Sequence, residues 1–141
     1  MSSETDLGLF DSGLLPPGSS YSFTFFASGK YTAVDAANAN TGLVSVPVQV
    51  FPASGTIATL FAILWATDDA PPGYAYDVQV LVPGASAFTG WRPSIRKGVG
   101  TFSSADLNFS GAGTYVFRAR IRNSNNGVAS GWSNNTAITI G

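Results

Sequence analysis

Apolar and polar residues alternate with a period of two along most of this chain of 141 residues. Period two places successive side chains on opposite faces of a strand. "YAYDVQV" puts Tyr74, Tyr76, Val78 and Val80 on one face and Asp77 and Gln79, with Leu81 beyond, on the other. "TYVFRARIR" puts Tyr115, Phe117, Ala119 and Ile121 against Arg118, Arg120 and Arg122. Strands are expected over 57–67, 74–82, 88–93, 100–103, 106–110, 114–123 and 136–140, with Gly, Pro, Asn and Ser turns between them. Short strands at such regular spacing predict an antiparallel β-sandwich. In the first of them Phe61, Ile63 and Trp65 should face inward. The other face, Leu60, Ala62 and Leu64, is apolar where a free sandwich should be polar, so it is an interface candidate.

The first third reads differently. A Pro-Pro-Gly turn at Pro16 to Gly18 leads into alternating Tyr21, Phe23 and Phe25. A turn at Ser28-Gly29 precedes Tyr31 to Val34, and a Gly/Asn-rich stretch spans 35–42. A last strand is expected over 43–50. Pro47, which has no amide donor, marks an edge or a bulge in it. No segment keeps helical spacing for more than about two turns.

Composition narrows the function classes. Charged residues are 11% of the chain, against about 25% in an average soluble domain. The surface must therefore rest on Ser, Thr, Asn and Gly, a composition that leans towards an extracellular or cell-surface setting. The chain has no Cys and no His, and its one Met is Met1. Ser-His-Asp and Cys-His nucleophile systems are excluded, as are zinc sites with Cys or His ligands and iron–sulfur clusters. Only carboxylate or lysine chemistry is left. "MSSETDLGL" lacks the basic start and apolar run of a signal peptide. A secreted reading therefore requires that Met1 begins a shortened chain. No apolar run approaches the ~20 residues of a membrane span.

Charge is segregated. Residues 1–77 hold Glu4, Asp6, Asp11, Asp35, Asp68, Asp69 and Asp77 against Lys30, which is seven acids and one base, or −6. Residues 78–141 hold Arg92, Arg96, Lys97, Arg118, Arg120 and Arg122 against Asp106, which is six bases and one acid, or +5. Either the two sets meet inside one fold, with Asp77 pairing an arginine across the sheet, or they join copies head to tail.

Two family resemblances follow. Residues 53–141 resemble a fibronectin type III domain, on Trp65, "YAYDVQV", "GTYVFRARIRN" and "NGVASGWS". Tyr115 stands where that family carries the tyrosine of a tyrosine corner. "SGWS" is similar to half of the WSxWS box of cytokine receptors, which implies Trp132 stacked with Arg118, Arg120 and Arg122. Residues 1–52 resemble the second half of a cupredoxin, on "FDSGLLPPGSSYSFTF", Gly29, Tyr31 and "GLVSV". The resemblance implies copper ligands, but Asp35 stands at the cysteine position, Asn38 at the histidine, and Asn40 or Thr41 at the methionine. Blue copper needs a thiolate and two imidazoles, so no cofactor is expected. One carboxylate is too few for calcium, which takes 6–8 oxygens.

Other candidates are weaker. Asp68-Asp69 opens a Pro-rich turn and reads as a solvated turn. "WRPSIRKG" combines Trp91 with Arg92, Arg96 and Lys97 and is a candidate binding cluster. Asn108 and Asn134 fit the glycosylation pattern. The overall expectation is an all-β, non-catalytic module: a cupredoxin-like segment at 1–52 and a sandwich at 53–141. It would act by self-assembly, through strand pairing or exchange, or on a protein surface. The alternative is a carbohydrate-binding module using Trp91, Trp132 and Tyr74, and a carboxylate-based enzyme is a distant third. Neither nucleic acid nor membrane insertion is expected.

Overall fold

The longest unbroken alternation forms the longest strand. In the computed structural model, which describes residues 2–3, 7–9, 25–35 and 40–141, β10 runs Gly113–Asn123. Its inward residues Tyr115, Phe117, Ala119 and Ile121 are all buried. The other strands are β1 (Ser2–Ser3), β2 (Gly29–Asp35), β3 (Asn40–Val46), β4 (Gln49–Phe51), β5 (Ser54–Gly55), β6 (Phe61–Leu64), β7 (Tyr74–Leu81), β8 (Thr89–Ile95), β9 (Val99–Phe102) and β11 (Thr136–Ile140). No helix occurs among the described residues.

The strands form sheets of order β5-β11-β10-β7-β8, β4-β6-β9 and β1-β2-β3. All pairs are antiparallel except β5 with β11. The first two sheets face each other as a β-sandwich. Between them lie Phe61, Ile63 and Trp65 from one side and Tyr76, Val78, Val80, Phe117 and Ile121 from the other. Tyr115 makes the expected corner: its hydroxyl donates to the Gly111 carbonyl at 2.7 Å and accepts from the Ser110 amide at 2.8 Å.

Three expected strands change for local reasons. The 57–67 strand shortens to β6 because Thr56 to Thr59 close a turn. There the Thr59 hydroxyl accepts from the Thr56 amide at 2.9 Å, a side-chain bond that competes with the ladder. At 106–110 there is no strand. The Asp106 carboxylate instead takes the Ser103 amide at 2.8 Å, and turns follow. The 43–50 strand divides at Pro47 into β3 and β4, which join different sheets. The sandwich thus begins ahead of the expected 52/53 boundary, since β4 pairs with β6.

The β2–β3 hairpin does not sit on Leu60, Ala62 and Leu64. It docks beside the end of β6 and the segment before β11. The Ser28 amide donates to the Trp65 carbonyl at 2.7 Å, and Lys30 and Gly131 exchange amide–carbonyl bonds at 3.0 and 2.9 Å. Tyr31 and Leu7 belong to the same buried cluster as the sandwich core. Most of the cupredoxin-like motif, at 10–24 and 36–39, lies outside the described residues. Of the expected ligand positions, Asp35 and Asn40 are backbone register partners at the end of the hairpin, and Thr41 pairs with Val34, while Asn38 falls outside.

Candidate functional site

The outer face of β10 carries the charge. Arg118 lies opposite Gln79 and Arg120 opposite Asp77, with Arg122 opposite Ala75. Asp77 accepts from Arg120 Nε and Arg122 Nε, both at 3.0 Å, and from Arg122 Nη2 at 3.3 Å. The expected pairing across the sheet is therefore present. Burial pushes the Asp77 carboxyl up. Bonds from Arg122, the Ser94 amide and Arg120 outweigh that and hold it below the usual carboxylate range.

Ser94 completes this cradle. The β7–β8 register is irregular beyond Tyr76, and Ser94 takes a φ of +52°, uncommon for a residue with a side chain. The kink aims its amide at Asp77 Oδ1, 3.0 Å away, and its hydroxyl accepts from Arg122 Nη2 at 2.6 Å. Nothing in the alternation of β8 announced it.

Trp132 reaches this face because of the serines around it. Ser130 Oγ accepts the Ile121 amide at 3.2 Å, and Ser133 Oγ accepts the Ala119 amide at 2.9 Å. Hydroxyls thus stand in for strand carbonyls along β10, and the chain between them arches outward. Trp132 is laid over the arginine row, with the Arg118 guanidinium 4.7 Å and the Arg120 guanidinium 4.5 Å from its ring centre. Arg118 also lies 4.0 Å from the Phe88 ring centre and donates to Gln79 Oε1 through Nε and Nη2, at 2.9 and 2.7 Å. Burial and the neighbouring Arg120 charge both lower the Arg118 pKa. A depression of about 240 Å³ opens beside this ladder, lined by Asp77, Gln79, Gly90, Pro93, Arg120, Arg122 and Trp132 among others.

The cluster at 91–98 does not form one surface. Trp91 is a core residue, 5% exposed, edge-on to Trp65, Phe102 and Phe117 at 5.1 to 5.9 Å. It cannot serve as a stacking platform, because it falls on the inward phase of β8. Arg92 covers its ring at 4.3 Å and pairs with Asp106 at 3.3 Å. Arg96 donates to the Ala70 carbonyl at 2.5 and 3.2 Å. Lys97 pairs at the surface with Asp69, 3.8 Å away. Tyr74 is half-buried with its hydroxyl on the Leu7 carbonyl at 2.8 Å. No group of three or more His, Cys, Asp or Glu able to hold a metal occurs among the described residues.

No protein-family model matches the chain, and no curated protein matches it closely. Among solved structures it is similar to an Fn3-like protein from Clostridium thermocellum, at 14% identity and a TM-score of 0.43, over 83% of this chain and 93% of that one. The class of the fold rests on strand order and register.

Proposed function

We propose that this chain is a non-catalytic, extracellular structural or adhesive module that works by self-assembly. The observation that carries this reading is the outer face of β4-β6-β9. Register sets Ala62 between Phe51 and Thr101, and Leu64 between Gln49 and Val99. Leu60 is 67% exposed, Phe51 60% and Val99 51%, and none of these seven residues is charged. Burying such a face is worth about 25 cal/mol per Å² of apolar surface, and a second copy offers the same face in a two-fold contact of sheet on sheet.

The non-catalytic part draws support from the acids. Asp77 and Asp106 bind arginine and backbone donors, and Asp69 faces Lys97. The charge-poor surface supports the extracellular setting. The carbohydrate reading loses Trp91 to the core, and the Trp132 ring already has two guanidinium groups against it.

Light scattering over a concentration series tests the proposal. Wild type should rise from 14.6 kDa towards twice that mass, and Leu60→Ser with Val99→Ser should stay monomeric. A wild-type mass that remains monomeric into the millimolar range overturns it.

A further inference from the structure

Among the described residues, the ladder on β10 holds more positive charge than it neutralises. There Arg118, Arg120 and Arg122 face one carboxylate, Asp77, which leaves two charges in excess. Among the described residues, Arg120 binds Asp77 through Nε alone, so both of its Nη groups keep free donors. Arg118 Nη1 is likewise uncommitted. Stacking on Trp132 and Phe88 fixes both guanidinium groups before any ligand arrives, so little entropy is lost on binding.

We propose that this face, away from the self-association face above, docks an extended acidic polypeptide segment of a partner protein. Three features favour that occupant. Guanidinium forks match carboxylates in a bidentate geometry. Arg118, Arg120 and Arg122 repeat at two-residue steps, about 6.7 Å, the distance between alternate side chains of another extended segment. The depression beside Arg120 and Arg122 has room for a side-chain carboxylate. A long polyanion fits less well, because its affinity grows with the number of phosphates neutralised and the whole chain carries −1.

Gly90 provides a test that leaves the charge untouched. It lies opposite Gln79 on the same outer face, lines the depression, and a Cβ there would meet nothing within 4 Å. The probe is a fluorescent peptide with Glu at alternate positions, its Gln counterpart serving as control, read by anisotropy at low salt. The Glu peptide should bind and the Gln peptide should not. Gly90→Val should weaken binding at least about tenfold with an unchanged melting temperature. Arg118→Lys with Arg120→Lys, which keeps charge but removes the fork, should weaken it similarly. The proposal fails if the Glu peptide does not bind at millimolar concentration, or if both variants bind as wild type does. It also fails if a thymidine oligonucleotide or heparin binds more tightly than the peptide.

Discussion

A single carboxylate organises the charged face. Asp77 is 9% exposed and receives Arg120, Arg122 and the Ser94 amide. Its folded pKa lies below the ordinary value, so its stabilisation is complete above the ordinary carboxylate range and is lost as pH falls below that range through the depressed folded value. Asp77→Asn should destabilise the protein by about 2 kcal/mol at neutral pH. In urea unfolding across pH the two proteins should converge on the acid side, and a constant gap would exclude this role. The Asp77 contact was legible because its position in the alternation faces the arginines. Ser94 was not, because a register slip leaves no mark on hydropathy. Trp91 differs from expectation for a related reason: Arg92, Arg96 and Lys97 follow it in the chain, but its own phase in β8 is inward.

At the scale of the element, the segment before β11 is a strand that uses side chains where carbonyls are missing. Ser133 is 4% exposed and satisfies the buried Ala119 amide. Ser133→Ala leaves that donor unmet and should cost about 1–3 kcal/mol. Denaturant midpoints with unchanged slopes would check it. Loss of near-ultraviolet ellipticity from Trp132 should accompany the change, because the same serine holds the arch. "SGWS" was legible as a Trp over arginines through family resemblance; the serines' part was not, since a hydroxyl bonded to a strand amide reads as an ordinary surface residue. Pro47 was legible as an interruption. That β3 and β4 then enter different sheets depends on contacts far along the chain.

Across the whole molecule, the hairpin and the sandwich share one core through Tyr31, Ala27 and Leu7. Gly29 sits at their junction with φ +155°, and a Cβ there would lie 2.6 Å from Ser130 Oγ. Gly29→Ala should therefore loosen the hairpin while leaving the sandwich folded. Limited proteolysis should cleave the variant ahead of β4 sooner than wild type, with residues 49–141 surviving; equal cleavage rates would count against the junction. The division at 52/53 followed a change in sequence pattern, whereas the docking interface joins residues as distant as Lys30 and Gly131. Segregated charge proved partly internal: Asp77 and Asp69 from the acidic half pair with bases of the other. Periodicity gave the inward faces; it carries no information on which sheet edge meets which loop.

The parallel pairing of β5 with β11 has a mechanical consequence. β5, the second strand of the sandwich, and β11, its last, run side by side in the same direction, joined by the Thr139 amide to the Ala53 carbonyl and the Gly141 amide to the Gly55 carbonyl. Tension drawn along the polypeptide from both sides of the sandwich pulls these strands past each other. Both bonds are then loaded together in shear, and neither can be peeled open ahead of the other. Thermal melting, which imposes no direction on the load, gives no measure of that resistance.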